Sequence, residues 1–358
     1  MATERAASPV RVIALTKRGA ENAARLVRAL EGATLYLPDG LASGHPSAAA
    51  YLSTTPDLIN ELWKESRAFV LFMAAGIAVR AIAPLLKSKY EDPAVIVLDP
   101  AGGYAVPLLS GHLGGANELA LEIAEILGGR AVITTATDSE GKPAIEMWAA
   151  KAGLIPQNPK AAAKINGAFV NAIPVALVVD PELPIPPFPD EILPHLALIT
   201  RDPADLDGFG GPAIRVTHRV LKDKGAYVLH PRVLFLGVGT RKGADPARTS
   251  GAVLEALEKA GYSQLSIARV ATIDLKADEP AVKKLAETLG CELSVFTADF
   301  LGKIDVPTPS EKVRSKVGTP AVAEASALAA SRGGKLLVEK IKGEDWTMAV
   351  ALGEGGKQ

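Results

Sequence analysis

The sequence predicts a multidomain α/β protein, in which two α/β units with mainly parallel sheets are joined by a less regular middle segment. Apolar runs alternate with amphipathic stretches in the first and last thirds of the chain, which is typical of parallel sheets covered by helices. The length of 358 residues favours more than one domain. Prolines crowd residues 181 to 194 and exclude a helix or central strand there. We therefore expect domains at 1–141, 142–231 and 232–358.

The N-terminal unit shows strand and helix patterns in alternation. We predict strands over 10–15, 68–73, 94–98, 104–109 and 131–134. We predict helices over 19–30, 77–86 and 115–127. The last of these helices should end at Gly128, since glycine commonly ends a helix.

The pattern loosens after residue 142 and becomes regular again near residue 233. In the middle segment we predict helices over 143–153 and 159–168 and a strand over 175–179. In the C-terminal unit we predict a strand leading into GVGTRKG (237–243), helices over 246–260, 279–289 and 320–331, strands over 267–273 and 292–296, and a final hairpin formed by KLLVEKI and WTMAVAL.

Composition excludes several classes of protein. The net charge of −1 does not favour wholesale nucleic-acid binding. The single cysteine, Cys291, excludes an intramolecular disulfide and a cysteine-based metal site. No apolar run reaches the roughly 18–20 residues of a membrane span, and the N-terminus lacks the layout of a signal peptide. We expect a cytoplasmic enzyme.

The densest group of candidate functional residues is PLLSGHLGGANELA, residues 107–120, where a strand passes through a glycine-rich turn into a helix. Backbone N–H groups at such a helix start can bind an anion or an oxyanion, and His112 adds a titratable imidazole. The alternative is that His112 only caps the turn, and that Asn117 and Glu118 only stabilise the helix start. Ser110 lacks the G-x-S-x-G context of a nucleophile.

Two further groups in the N-terminal unit could contact a ligand. Thr134, Thr135, Thr137 and Asp138 follow a predicted strand, where ligands often bind, although Asp138 could instead cap a helix or turn. Arg80 follows a small-residue turn and suits a carboxylate-rich ligand; a surface position is the alternative.

The segment GVGTRKG resembles a dinucleotide-binding loop but has lysine where the third glycine should stand, and it is not a phosphate-binding Walker loop either. Arg241 and Lys242 could nevertheless bind an anionic group. The other histidines, at positions 45, 195, 218 and 230, are scattered and lack metal-ligand spacing, so we interpret them as structural.

Long ordered blocks of this chain resemble the cobalt-precorrin-5A hydrolases of anaerobic cobalamin biosynthesis. The resemblance covers most of the chain and is weakest over 1–50 and 150–230. It is carried by AAGIAVRAIAPLL (74–86), DPAVIVLDPAGGYAVPLLSGHLGGANELA (92–120), ITTATDSEG (133–141), FLGVGTRKG (235–243), ATIDLKADEP (271–280), PSEKV (309–313) and VGTPAVAEASAL (317–328).

The resemblance implies a hydrolase whose substrate is a cobalt-containing tetrapyrrole with many carboxylates and a lactone. Water would open the lactone, and a two-carbon unit would leave as acetaldehyde, which gives cobalt-precorrin-5B. Because cobalt arrives inside the substrate, we expect no metal site and no cofactor. We expect transient contact with neighbouring pathway methyltransferases, and neither nucleic-acid nor membrane partners.

The same resemblance suggests roles for the candidate residues. His112 would act as the base with Glu118 or Asp138 assisting, and the N–H groups of Gly114 and Gly115 would stabilise the oxyanion. The expected substrate contacts are Arg80, Gly111, Gly114, Gly115, Asn117, Thr135, Thr137, Arg241 and Lys242, in a cleft between the α/β domains. Two alternatives are a non-catalytic tetrapyrrole carrier and a nucleotide-dependent transferase that uses GVGTRKG.

Overall fold

Three β-sheets follow one another along the described part of the chain. The computed structural model describes residues 9–88, 91–112, 114–135, 140–222, 225–311 and 319–353. The first sheet belongs to one structural unit, residues 1–147, and the other two belong to a second unit, residues 148–358. Most strand pairs of the first two sheets are parallel, the C-terminal sheet has two parallel and two antiparallel pairs, and all three sheets carry helices. The predicted α/β class is therefore confirmed.

The first sheet has the strand order β3-β2-β1-β4-β5-β6-β7. Its strands are β1 Val10–Ala14, β2 Ala33–Pro38, β3 Ala49–Tyr51, β4 Ala68–Phe72, β5 Ala94–Leu98, β6 Tyr104–Leu109 and β7 Arg130–Ala131. Strands β1 to β5 are parallel, whereas β6 runs antiparallel to β5 and β7 runs parallel to β6. The reversal at β6 determines where the candidate site lies.

Helices cover both faces of the first sheet. They are α1 Lys17–Ala29, α2 Asp39–Ala42, α3 Thr55–Leu62, α4 Ala75–Ile82 and α5 Ala116–Leu127, followed by α6 Ile145–Lys151. Side chains of α1 and α5 pack in one cluster with Val10, Val12 and Ala14 of β1. Side chains of α3 and α4 pack in another cluster with Ile13 of β1. This division follows from the alternation of side chains along a strand, and it accounts for the full burial of β4 and β5.

The middle segment forms a sheet of its own, with the order β10-β9-β11-β12-β8. Its elements are β8 Leu154–Pro156, α7 Ala162–Val170, β9 Val175–Val179, β10 Leu196–Thr200, β11 Ala213–Val216 and β12 Tyr227–Pro231. Strand β8 is antiparallel to β12, and the other pairs are parallel. The proline-rich stretch lies between β9 and β10 and contains no strand, as its prolines require.

The C-terminal sheet has the order β15-β14-β13-β17-β16. Its strands are β13 Leu234–Thr240, β14 Ile267–Ile273, β15 Glu292–Phe296, β16 Lys335–Lys342 and β17 Trp346–Leu352, and its helices are α8 Pro246–Lys259, α9 Pro280–Leu289, α10 Ala298–Leu301 and α11 Val322–Ala330. The predicted final hairpin is confirmed, because β16 and β17 pair antiparallel.

Several predicted bounds were wrong. Helix α4 begins at Ala75 rather than at residue 77 and ends at Ile82. The strand predicted over 131–134 is the two-residue β7, Arg130–Ala131. Within the part of the chain that the structure describes, no helix has the length and apolar character needed to cross a membrane.

Candidate functional site

The glycine-rich turn between β6 and α5 is a closed backbone structure. Ser110 has a positive φ of 57°, a conformation that side-chain-bearing residues seldom adopt. Its carbonyl accepts a hydrogen bond from the Ala116 N–H at 3.2 Å, and the Gly111 carbonyl accepts from the Asn117 N–H at 3.0 Å. Gly115, with φ +77°, is the N-cap of α5. The turn is therefore tied to the first residues of the helix.

Two glycines of the turn are required by close packing. A Cβ atom at Gly111 would lie 2.8 Å from Asn117 Oδ1, and a Cβ atom at Gly114 would collide with the Cβ of Ser110. Neither contact can be relieved without moving the Asn117 amide or the turn backbone. The two glycines thus allow the turn to approach the start of α5.

The turn lies at the amino ends of β4 and β5, because β6 runs antiparallel to them. Leu109, the last residue of β6, pairs with Val95 near the start of β5. Asp92 lies at the same edge, where its buried carboxylate accepts hydrogen bonds from the N–H groups of Lys87 and Ser88, each at 2.9 Å. The Ser110 hydroxyl donates to the Asp92 carbonyl at 3.0 Å, which fixes the turn to this edge.

His112 faces a buried carboxylate that the sequence analysis did not identify. Its Nδ1 lies 3.7 Å from Oε1 of Glu146, and the two side chains are 15% and 5% exposed. Glu146 is in the first turn of α6. The imidazole is therefore reachable from solvent, while its carboxylate partner is shielded. A histidine beside a carboxylate is a common arrangement for a general base.

Asn117 and Thr135 meet beside this turn. The segment after β7 runs along β6, since the Val132 N–H donates to the Ala105 carbonyl at 2.9 Å, and it brings Thr135 to the same edge. Asn117, 5% exposed, donates from Nδ2 to the Thr135 hydroxyl at 3.0 Å. Glu118 lies exposed on the first turn of α5.

The structure changes the predicted set of oxyanion donors. The Gly115 N–H donates to the His112 carbonyl at 2.9 Å, so it is not available to a ligand in this conformation. Among the described residues, the Gly114 N–H has no hydrogen-bond acceptor. Gly114 is therefore the donor that the turn itself offers. Thr137 and Asp138, also predicted, lie outside the described residues.

Comparison with known proteins assigns the chain to a family. Models of the cobalamin synthesis G N-terminal region, the cobalamin biosynthesis central region and the cobalamin synthesis G C-terminus match residues 57–138, 143–231 and 234–351. Cobalt-precorrin-5A hydrolase of Salmonella typhimurium is 31% identical over 300 residues, which cover 80% of this chain and 82% of that protein. The chain belongs to the cobalt-precorrin-5A hydrolase family.

Other relatives extend this similarity. Cobalt-precorrin-5A hydrolase of Priestia megaterium is 29% identical over 358 residues, covering 95% of this chain and 94% of that protein. The crystal structure of a cobalamin biosynthesis protein G homologue from Sulfolobus solfataricus is 25% identical, covers 97% of both chains and has a TM-score of 0.36.

Arg80 does not join the turn in this member of the cobalt-precorrin-5A hydrolase family. It lies in the last turn of α4, rather than at the helix start as predicted. Its exposed guanidinium donates to the Gly76 carbonyl at 2.9 Å. Gly76 follows the carboxyl end of β4, whereas the turn lies at the amino ends of β4 and β5. The Arg80 guanidinium is therefore held at the opposite end of β4 from the glycine-rich turn.

Arg241 and Lys242 lie in the second unit, directly after β13. Arg241 is 71% exposed and pairs with Asp345, with 3.1 Å between Nη1 and Oδ1. Asp345 also forms an ion pair with Arg248, with 2.6 Å between Nη2 of Arg248 and Oδ2 of Asp345. Lys242 is exposed. Arg241 already has a carboxylate partner, so a ligand carboxylate would have to compete with Asp345 for it.

Two glycines of GVGTRKG, Gly237 and Gly239, serve sheet packing rather than nucleotide binding. Gly237 and Gly239 lie inside β13. A Cβ at Gly237 would collide with the Ala323 carbonyl of α11, so the glycine lets this helix approach the sheet. The next helix, α8, is capped by Asp245, whose carboxylate accepts from the Arg248 N–H at 2.7 Å. A capped N-terminus does not offer the open phosphate site that a nucleotide-dependent transferase needs.

The residues described contain no group of three or more histidine, cysteine, aspartate or glutamate side chains arranged to hold a metal ion. The sequence analysis missed Glu146 and Asp92. No spacing rule would have found them, because their contacts with the turn depend on how separate segments return to one edge of the sheet.

Proposed function

We propose that this chain hydrolyses cobalt-precorrin-5A: water opens the lactone, and the two-carbon unit leaves as acetaldehyde to give cobalt-precorrin-5B. The observation that carries the proposal is the His112 imidazole, partly exposed and 3.7 Å from the buried Glu146 carboxylate. The relatives from Salmonella typhimurium and Priestia megaterium, which carry the name cobalt-precorrin-5A hydrolase, support this substrate.

The first chemical step is attack of water on the lactone carbonyl. His112 takes a proton from the water through Nε2 as the new C–O bond forms. The Gly114 N–H donates to the oxyanion that develops on the carbonyl oxygen. Collapse of this intermediate breaks the acyl C–O bond, leaving a carboxylate on one side and a hydroxyl group on the other.

The second step is cleavage of the C–C bond that holds the two-carbon unit. The new hydroxyl loses its proton as acetaldehyde forms, and the bonding electrons move to the macrocycle, which then takes up a proton. Glu118, exposed beside the turn, and Asp138 are the groups that we propose for this proton transfer. Cobalt enters as part of the substrate, and the proposal needs no resident cofactor.

The substrate carboxylates require cationic and polar partners. We propose that Asn117 and Thr135 contact the substrate near the reacting groups; Arg80, Arg241 and Lys242 remain predicted partners of its carboxylates, although the Arg80 guanidinium lies at the opposite end of β4 from the turn. Replacing Arg80 or Arg241 by alanine should weaken substrate binding more than it slows chemistry, because each charge-assisted hydrogen bond contributes roughly 1.5–3 kcal/mol. The dissociation constant of the substrate checks this, and unchanged values in both variants would remove these arginines from the site.

The decisive experiment follows the tetrapyrrole by mass spectrometry while acetaldehyde is trapped. The wild-type protein should convert cobalt-precorrin-5A and release acetaldehyde, whereas a carrier protein would bind the macrocycle and leave its mass unchanged. The His112→Asn variant should retain its fold but turn over about 10²–10⁴-fold more slowly, since asparagine cannot take up a proton.

A matched control is His45→Asn, because His45 lies between α2 and β3, away from the turn. It should retain wild-type turnover. Near-normal acetaldehyde release by a folded His112→Asn variant would exclude His112 as the base and direct attention to Glu118 and Asp138.

A further inference from the structure

We propose that Glu146 is a positioning residue that fixes the tautomer of His112, with the proton on Nδ1 and the lone pair on Nε2. The inference rests on the proposed function only in taking His112 as the base. In this role Glu146 holds the imidazole so that the nitrogen facing the reaction is the one that can accept a proton.

The geometry favours one tautomer of His112 when Glu146 is ionised. Glu146 Oε1 lies 3.7 Å from His112 Nδ1. An ionised carboxylate can only accept hydrogen bonds, so the nitrogen facing it must carry the proton. A neutral imidazole has a single N–H, and Nε2 is then left unprotonated. The distance is long for a hydrogen bond, as is common for catalytic contacts before substrate binds.

The burial of Glu146 strengthens this coupling. The Glu146 side chain is 5% exposed, whereas that of His112 is 15% exposed. Charges that are shielded from water interact more strongly than charges on an open surface. When His112 takes up a proton from water, the resulting imidazolium is stabilised by the neighbouring carboxylate.

The imidazole and the carboxylate are also held by separate parts of the structure. His112 belongs to the turn, where its own carbonyl accepts from the Gly115 N–H, while Glu146 belongs to the first turn of α6. For metal-binding histidines, loss of the group that fixes the ring orientation typically reduces activity about 10–100-fold, and we expect an effect of that size for His112.

The test uses the full-length protein with ¹⁵N-labelled histidine and the substitution Glu146→Gln. The His112 signal is assigned by its absence in His112→Asn. In the wild type, NMR should show Nδ1–H and an unprotonated Nε2. In Glu146→Gln, the midpoint of the His112 titration should fall by about one pH unit, because an adjacent opposite charge has been removed.

Turnover provides the second measurement. Glu146→Gln should lower kcat about 10–100-fold with KM within about twofold, and should move the acid limb of the pH–rate profile to lower pH. Glu146→Asp, which keeps the charge, should restore the position of that limb. Glu122→Gln is the matched control, because Glu122 is exposed on α5, and it should change neither the limb nor the His112 titration.

The outcomes separate this inference from the proposed function. An Nε2–H tautomer in the wild type, or an unchanged His112 titration in Glu146→Gln, overturns the role of Glu146 even if acetaldehyde is released. A shifted titration without any acetaldehyde release supports the pairing while the proposed reaction fails. If Glu146→Gln does not fold, the tautomer of His112 in the wild type decides by itself: Nδ1–H supports the proposal, and Nε2–H overturns it.

Discussion

At the scale of single residues, the site depends on glycines whose lack of a side chain leaves room for neighbouring groups, as well as on the polar groups that are present. Gly111 sits against the Asn117 amide, and that amide donates to Thr135. A larger residue at position 111 must displace Asn117, which breaks the contact with Thr135. The glycines of the turn therefore act through packing, in addition to the N–H group that Gly114 offers.

Gly111→Ala should lower the free energy of unfolding by about 1–3 kcal/mol, because overpacking forces side chains or backbone to shift. Urea unfolding at neutral pH measures this change in the free energy of unfolding. Gly167→Ala is the matched control: Gly167 lies inside α7, where an added Cβ would have nothing within 4 Å, and alanine there should stabilise the protein by about 0.5–1 kcal/mol. Equal stability of the wild type and Gly111→Ala would mean that the turn adapts freely.

The residues of the site differ in how far the sequence could predict them. Gly111, His112 and Asn117 are close because they are neighbours in the chain, and Thr135 joins them because β7 runs parallel to β6. Glu146 was not predictable, since its contact requires α6 to return to the turn. Arg80 was misplaced because the sequence does not reveal that its side chain folds back onto Gly76.

At the scale of elements, one buried carboxylate holds a helix, a loop and a strand of the C-terminal sheet together. Glu324 of α11 is fully buried. It accepts hydrogen bonds from the Thr308 hydroxyl at 2.8 Å and from the Lys340 N–H at 3.0 Å. The Lys340 ammonium in turn donates to the Thr308 carbonyl at 2.6 Å. The buried charge is thus compensated on several sides, as a stable buried carboxylate requires.

Glu324→Ala should destabilise the protein by about 3 kcal/mol, because it leaves the partly buried Lys340 N–H and Thr308 hydroxyl without their shared acceptor. Thermal or urea unfolding measures the loss. Glu324→Gln keeps one acceptor oxygen and should lose less than alanine. A smaller loss for alanine than for glutamine would contradict this account of Glu324 as the shared acceptor.

The same scale explains which elements the sequence predicted well. The buried strands β4, β5 and β9 are continuous apolar runs, which the pattern reveals directly. The sequence analysis missed β2, β3, β8, β10, β11 and β12; among these, β3 and β8 have only three residues each, and no residue of β10 is buried. Gly237 resembled part of a nucleotide loop because sequence alone does not show that a helix packs against it.

At the scale of the whole molecule, the predicted fold class is confirmed, but one reversal of strand direction changes the position of the site. Ligands of parallel α/β sheets usually bind at the carboxyl ends of strands. The turn follows the carboxyl end of β6, yet β6 is antiparallel to β5, so the turn lies at the amino ends of the central strands. Only the short connection between β5 and β6 hints at this reversal in the sequence.

Within the second unit, buried histidines lie where the middle and C-terminal sheets meet. His218 stacks on Tyr262, with ring centroids 5.6 Å apart, and its carbonyl accepts from the Ser263 N–H at 3.0 Å. His230 is held by the Thr217 carbonyl, 2.7 Å from Nδ1. Neither His218 nor His230 is exposed to solvent. These two residues therefore link the stability of the unit to pH.

Burial lowers the pKa of both His218 and His230 from the ordinary value of 6.5. For His218, the carboxylate of Asp180, 3.3 Å from Nδ1, opposes this shift without cancelling it. For His230, the hydrogen bond to the Thr217 backbone opposes it in the same way. In the folded protein both rings thus stay neutral to lower pH than they do in the unfolded chain.

The sign of the pH dependence follows from this difference. Below about pH 6.5 the unfolded chain binds protons on these histidines that the folded protein does not, so acid favours unfolding. Their contribution to stability is complete above about pH 6.5 and is lost as the pH falls toward the lowered values. The loss should approach at most about 1.4 kcal/mol per histidine for each pH unit in that interval. Urea unfolding at pH 7.5 and 5.5 should show it for the wild type, and His218→Gln/His230→Gln should show a smaller difference between the two pH values. An equal difference in both proteins would mean that other groups account for the acid sensitivity.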